Sequence, residues 1–404
     1  MRILIITDQV DYHNAINPLL ARRVAGELAG MGHTVHLLEL WDGEHPLPPA
    51  PEKVERFALA FSQEAAMNRA LEHGRAGGSA LKRLIRLGLC PPAWEAAFRQ
   101  LVLKEPLRQK ACLAFLEHHP DYEAVVAVGA PFWSAFALAQ ARIPGKKAVW
   151  MMDPYSANRE YTAPGGAEKE LSMGNAMSRI FITRLMEKDY QEGPLAPLQE
   201  KTQVLEFPCL VPGQPVPPKK SGQGLELVFC GNLYPNIRTP WALLELMTRL
   251  GNPDIHLTMI GGGWEHFDPD RVEEYRRKLG DRLEIARYLP YPQAQKRIAA
   301  GDVLVNIGND VANQLPSKIF DYFGTGKPIL QLAARMDDPA NPYFSRYPLA
   351  LIQGPGEDPR RVEEWLSTLE DRRLTYEQVS QLFWENTPSA VANRLLEGLQ
   401  EDPV

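Results

Sequence analysis

The sequence predicts an α/β protein of two doubly wound, Rossmann-like domains facing a cleft, and three observations predict it. Apolar runs recur along the chain, each followed by a stretch of helical period, so strands alternate with helices. The runs are continuous, the pattern of strands buried on both faces of a parallel sheet. The series is broken at residues 207 to 224, "FPCLVPGQPVPPKKSGQG", where five prolines and three glycines carry no regular period and read as a linker. A length of 404 residues also favours two cores over one.

In the first half, "RILIIT" is a strand, "AINPLLARRVAGELAGMG" a helix closed by glycine and "TVHLLEL" the next strand, one βαβ unit. Residues 51 to 118 read as a helical, less regular insertion, after which "AVVAVG", "KAVWMM" and "RIFIT" supply further strands. "AVVAVGAPFWSAFALAQA", residues 124 to 141, approaches the length that spans a bilayer. Gly129 and Pro131 break it, so a strand, a turn and a helix fit better.

The second half runs "LELVFCG" (strand), "TPWALLELMTRLG" (helix), "IHLTMIGGG" (strand), "DPDRVEEYRRKLG" (helix), "LEIARYL" (strand), "YPQAQKRIAAG" (helix), "DVLVNIG" (strand), a short helix, and "KPILQL" (strand). Strand carboxyl ends of two such halves can face each other across a cleft. The expected domains are 1–210 and 222–384, with a C-terminal helix at 385–404 for which packing back on the first domain is one arrangement.

The net charge of −6 offers no broad attraction to nucleic acid. Cys90, Cys112, Cys209 and Cys230 are scattered without metal-ligand spacing and read as buried thiols of a reducing compartment. "MRILIITD" is a first strand too short in its apolar run for a signal peptide, which makes the cytoplasm the expected location. "ALKRLIRLGL", residues 80 to 89, has two readings: a basic helix packed on the first half, or a peripheral helix on an anionic membrane surface.

No glycine-rich dinucleotide fingerprint follows either first strand. Gly261 to Gly263 read as a tight turn after a strand, and as a phosphate loop only secondarily. Asp268 and Asp270 mimic a metal-binding DxD, but Asp268 before Pro269 has the form of a helix N-cap, and no metal is expected. The helix expected to begin near Pro316 has an apolar face of Leu315, Ile319, Phe320 and Phe323, and Gln314, Lys318, Asp321 and Thr325 form a polar stripe opposite. A solvated face with a Lys318 to Asp321 pair is one explanation. An anion site is the other, since Lys318 in a first turn opposes the helix dipole unless an anion sits there.

"FCGNLYPNIRTP", "LTMIGGG", "LEIARYLPYPQAQKRIAAGDVLVNIG" and "LPSKIFDYFGTGKPIL" resemble, in order and spacing, the donor-binding half of GT-B glycosyltransferases, in particular the retaining group called family four. The specific match covers roughly residues 225 to 330; the first half matches as a generic βαβ series. The resemblance implies a donor site of Gly231, Asn232, Arg238, Tyr288, Asn313, Gln314, Leu315, Ser317, Lys318 and Asp321. Arg238 and Lys318 would hold the diphosphate, Asp321 the ribose, and Asn313 stands where the family carries a carboxylate near the donor sugar. An amide there bonds hydroxyls but supplies no negative charge. Tyr288 and Tyr291 lie where the family recognises the base, with packing at a strand end as the equal alternative. Asp153, after the strand "KAVWMM", and His13 are acceptor-side candidates; turn capping explains Asp153 equally well.

The function implied is transfer of a hexose from a nucleoside diphosphate sugar, a UDP-sugar first, to a hydroxyl of a glycan, lipid-linked or small-molecule acceptor, with retention, as in polysaccharide biosynthesis. Arg238, Lys318 and Asp153 are the expected catalytic residues, and no cofactor is needed beyond the donor substrate. The alternatives are a sugar-nucleotide epimerase of the same fold and a non-catalytic nucleotide-sugar-binding partner.

Overall fold

Strands form where the apolar runs lie. In a computed structural model, which describes residues 1–8, 16–41, 47–61, 105–157, 165–215, 224–287, 289–311, 315–316, 318–369 and 372–401, the chain divides into two compact units. One comprises Met1–Glu206 and Pro388–Val404, the other Phe207–Thr387.

The first unit holds a seven-stranded sheet, wholly parallel, of β1 (Arg2–Asp8), β2 (Thr34–Trp41), β3 (Val54–Ala60), β4 (Ala124–Val128), β5 (Lys146–Met151), β6 (Arg179–Ile182) and β7 (Thr202–Val204), in the order β3-β2-β1-β4-β5-β6-β7. Its helices include α1 (Ile16–Gly30), α2 (Glu105–His118), α3 (Trp133–Gln140), α4 (Gly166–Asn175) and α5 (Glu187–Gln191). The apolar stretch at 124 to 141 is therefore β4, a turn and α3, and no helix among the described residues is long and apolar enough to cross a membrane. β3 corrects the helical reading of residues 51 to 118: "VERFALA" pairs with β2 as the sheet edge, where half its residues face solvent.

The second unit holds a six-stranded parallel sheet of β8 (Leu225–Cys230), β9 (Ile255–Ile260), β10 (Leu283–Ala286), β11 (Val303–Ile307), β12 (Ile329–Leu332) and β13 (Ala350–Gln353). Its order is β10-β9-β8-β11-β12-β13, with helices α6 (Trp241–Arg249), α7 (Pro269–Leu279), α8 (Tyr291–Ala300), α9 (Lys318–Phe323), α10 (Asn341–Arg346), α11 (Arg360–Ser367) and α12 (Tyr376–Leu382). Each sheet reverses its winding once, between β1 and β4 and between β8 and β11, and such switch points open a crevice at the strand carboxyl ends. Residues 207–215 carry no helix or strand, as the linker reading expects, yet Phe207, Cys209 and Leu210 are buried and Leu210 donates to the Asn386 carbonyl at 3.0 Å. The last helix, α13 (Pro388–Gln400), packs on α1 and β6 of the first unit, where Arg179 Nε donates to the Gly398 carbonyl at 3.2 Å.

Capping sets helix starts. Asp268 is the N-cap of α7, its carboxylate accepting from the Asp270 amide at 3.0 Å with Pro269 in the first turn, and Arg276, Arg277 and Lys278 complement the dipole at the far end. At the end of α8 the orphan carbonyls are met by a side chain. Lys327, fully buried, donates through Nζ to the carbonyls of Ile298 at 2.9 Å, Ala299 at 2.5 Å and Gly301. Burial pulls this ammonium down to about 7, while three carbonyl acceptors at a helix carboxyl end favour its charged form. Lys327→Met leaves those carbonyls unpaired, and a urea titration is expected to show a loss of at least about 2 kcal/mol; an unchanged midpoint would remove Lys327 from the interactions that hold this sheet.

Candidate functional site

The switch point of the second sheet gathers the polar residues. The loop after β8 and the turn after β11 meet there, tied by the Asp310 amide donating to the Ile237 carbonyl at 2.7 Å. Within the first loop Tyr234 and Arg238 exchange backbone hydrogen bonds of 2.9 and 2.8 Å, so Arg238 sits at the neck of a small closed turn. Its side chain folds inward, and the residue is 9% exposed. Nε and Nη2 donate to Asn309 Oδ1 at 3.1 and 2.6 Å, and Nη1 donates to the Asn232 carbonyl at 3.2 Å. Burial lowers the guanidinium pKa.

Lys318 opens α9 and reaches back across the strand end. Its Nζ donates to the Cys230 carbonyl at 3.0 Å and lies 4.0 Å from the centroid of the Phe229 ring and 5.7 Å from that of Tyr322. Burial first, and then repulsion by Arg238, push its pKa well below the ordinary lysine value. Among the described residues no carboxylate forms an ion pair with either cation, so the Lys318 to Asp321 pair of the solvated-face alternative does not form. These bonds leave two N–H groups of Arg238 and two of Lys318 without a protein acceptor among the described residues.

Backbone packing makes room for this arrangement. A Cβ on Gly231 would fall 2.6 Å from Lys318 Nζ. Gly261 to Gly263 form the turn after β9, and they press against the loop after β8: a Cβ on Gly261 would lie 2.1 Å from the Gly231 carbonyl oxygen, and one on Gly263 2.1 Å from that of Leu233. The Gly262 amide donates to Asn232 Oδ1 at 3.1 Å, which fixes that side chain. Tyr322, buried on α9, accepts from the Cys230 amide at 2.8 Å and meets the Cys230 carbonyl at 3.1 Å. Beside this region a cavity of about 620 Å³ opens at the carboxyl ends of β9 and β10, lined by Gly261, Gly262, Trp264, Phe267, Ile285 and Arg287 among others.

The structure thus brings Gly231, Asn232, Arg238 and Lys318 to one strand end, with Leu315 just before α9 and Asp321 on it, both half-buried. α9 spans six residues from Lys318, so Pro316 precedes the helix and Thr325 follows it, its hydroxyl donating to the Tyr322 carbonyl at 2.6 Å. Asp153 belongs to the other unit, in the bend after β5 and half-buried. There Glu170, 1% exposed, accepts from the Ser156 amide at 2.9 Å, the Ser156 hydroxyl at 2.5 Å and the Tyr190 hydroxyl at 2.6 Å, anchoring the segment that follows Asp153. His13, Tyr288, Asn313, Gln314, Ser317 and the basic stretch 80 to 89 lie outside the described residues. Sequence reasoning missed Asn309, Tyr322 and Phe229, of which only Asn309 carried a signal, a polar residue two positions past the end of a buried strand.

No protein-family model matches the sequence, and no curated protein matches it. Solved structures do. HepE of Anabaena, solved in complex with UDP, aligns over 99% of both chains with a TM-score of 0.61 at 13% identity. Trehalose-6-phosphate synthase OtsA gives 0.61 at 13% identity over the whole of both chains, and the catalytic domain of starch synthase IV from Arabidopsis thaliana, bound to ADP and acarbose, 0.64 at 8% over 98% of both. The chain has the GT-B glycosyltransferase fold. At these identities the likeness is one of fold, and GT-B proteins of different names share it.

The close glycine contacts give a test of the geometry. In Gly261→Ala the methyl group meets the Gly231 carbonyl and the backbone keeps a φ of 142°, so a loss of about 2–4 kcal/mol is expected. Gly262→Ala meets nothing nearer than Asn232 Oδ1 at 3.4 Å, and less than about 1 kcal/mol is expected. Equal midpoints for the two variants in urea would contradict the packing described.

Proposed function

We propose that the protein is a glycosyltransferase that moves a hexose from a nucleoside diphosphate sugar, with a UDP-sugar as the first donor to test, to a hydroxyl of a glycan, lipid-linked or small-molecule acceptor. The observation that carries this reading is a pair of neighbouring cations, buried Arg238 and half-buried Lys318, that form no ion pair with a carboxylate among the described residues, at the switch point of a GT-B fold. A diphosphate supplies the missing charge, and the N–H groups left over on both side chains are donors for its oxygens. The bond between the anomeric carbon and the diphosphate oxygen breaks with its electron pair on the oxygen. The negative charge that develops there is stabilised by Arg238 and Lys318, while the acceptor oxygen bonds to the anomeric carbon and passes its proton to the departing diphosphate.

On this reading the base occupies the cavity at the ends of β9 and β10, Asp321 takes the ribose hydroxyls, Asn313 the donor sugar and Asp153 the acceptor side. The UDP complex of HepE, a protein of the same fold, supports a uridine donor. Retention of configuration follows the family-four resemblance. Metal independence follows from the two cations, which do the work of a bridging magnesium, and from Asp268, which is engaged in capping α7.

Incubation with a panel of nucleotide sugars, with and without acceptors, and mass spectrometry of the products tests the reading; product formed without any acceptor would favour an epimerase. Lys318→Met and Arg238→Gln are expected to lower turnover by about 10²-fold or more in folded protein, and full activity is expected in EDTA. Near wild-type rates in both variants, or activity abolished by EDTA and restored by magnesium, would overturn it.

The depressed pKa of Lys318 adds a proton signature. A bound diphosphate raises that pKa, so the complex holds more protons than the free protein between the two values. Binding of UDP is therefore expected to take up protons in this window and to weaken as pH rises through it. Titration calorimetry in buffers of different ionisation enthalpy measures the uptake; proton release would reverse the assignment.

A further inference from the structure

We propose that Asn309 is a positioning residue: its amide oxygen fixes the Arg238 guanidinium without neutralising it, so that the guanidinium keeps its positive charge, beside Lys318, for a diphosphate. The inference rests on the function proposed above and deepens it. Asn309 follows β11 by two residues, is 5% exposed, and its Oδ1 accepts from both Nε and Nη2 of Arg238. The third guanidinium contact goes to the Asn232 carbonyl. All three bonds therefore end on uncharged oxygens.

An aspartate has the same shape and would bond the guanidinium more strongly, because charge-assisted pairs are shorter and about twice as strong. For stability alone the carboxylate is the better residue at a buried arginine. The amide gives up that stabilisation, and what it preserves is net charge. One buried carboxylate acts on Arg238 through its field, Asp338, 1% exposed, but it forms no ion pair with the guanidinium: its oxygens accept from the amides of Ala334 at 3.0 Å and Ala340 at 2.9 Å.

Asp338 also braces the turn. A Cβ on Gly308 would fall 1.7 Å from Asp338 Oδ2 and 2.9 Å from the Ala334 amide nitrogen, so the residue before Asn309 is pressed against a fixed wall. On the other side the Asp310 amide is bonded to Ile237, the neighbour of Arg238. Held from both flanks, the amide oxygen of Asn309 has little freedom, and the guanidinium that it holds presents its remaining N–H groups in one orientation.

Asn309→Asp separates charge from shape, and uridine separates the diphosphate from the rest of the ligand. Titration calorimetry of the full chain with UDP, pyrophosphate and uridine is expected to show UDP and pyrophosphate weakened at least about tenfold in Asn309→Asp while uridine changes by less than about twofold. Asn309→Ala keeps the net charge but frees the guanidinium. Its turnover is expected to fall by about tenfold or more with donor KM within about threefold, since orientation acts on the transition state. UDP bound by Asn309→Asp within about twofold of wild type, or UDP and uridine weakened equally, would overturn the inference while leaving the proposed function standing. A wild-type chain that binds neither UDP nor pyrophosphate would overturn both.

Discussion

Arg238, buried, and Lys318, half-buried, lie beside one another, and no carboxylate among the described residues forms an ion pair with either. Removing an ion from water costs several kcal/mol even after the protein relaxes, and the proximity of Arg238 and Lys318 adds repulsion. Their acceptors are dipoles: the carbonyls of Cys230 and Asn232 and the amide of Asn309. Dipoles satisfy N–H groups without cancelling charge. The arrangement lowers stability locally, and such a cost is characteristic of sites whose pairing is completed by a ligand.

The parallel sheet is what makes the arrangement possible. Strands that all point one way place every loop after β8 to β13 at one end, and the reversal of winding between β8 and β11 separates the helices there and leaves the crevice. Into this crevice α9 delivers Lys318 from one side and the β8 loop delivers Arg238 from the other. Gly261 and Gly263 permit backbones to approach where any side chain would collide, and Gly231 leaves room for the Lys318 ammonium. The run of three glycines after β9 thus forms a turn, and its further consequence is close packing against the β8 loop, which sets the position of Asn232 and, through its carbonyl, of Arg238.

The fold was largely legible because buried parallel strands write themselves as apolar runs. "RILIIT", "TVHLLEL", "LELVFCG", "IHLTMIGGG" and "DVLVNIG" lie on β1, β2, β8, β9 and β11. The strand β3 was not, since an edge strand carrying Glu55 and Arg56 is only partly buried and loses the continuous apolar run. β7, with three residues, is too short to show a period. For the site, Arg238 and Lys318 could be singled out by residue type and by position after a strand. Asn309 offered only its place two residues past a buried strand, because its meaning depends on β11 pairing with β8, which brings together residues 71 positions apart. The Lys318 to Asp321 pair of the solvated-face alternative is absent for a related reason. Helical spacing places Lys318 near Asp321, but a lysine in the first turn can turn back toward the strand end, and here the Cys230 carbonyl and the Phe229 ring receive it.

Two lysines of the same unit show how hydrogen-bond accounting separates a structural cation from one left open. Lys327 places all three of its N–H groups on carbonyls at the end of α8 and is fully buried. Nothing remains for a ligand, and its work is to close a helix. Lys318 is nine residues earlier, is also driven toward neutrality by burial, and yet spends one N–H on Cys230, with aromatic faces in place of further acceptors. Aromatic faces attract the cation but fix no geometry for the remaining hydrogens. An ammonium held in that way can turn those hydrogens toward an incoming oxygen without breaking a protein hydrogen bond. Binding an anion there therefore adds bonds, whereas at Lys327 it would have to replace them.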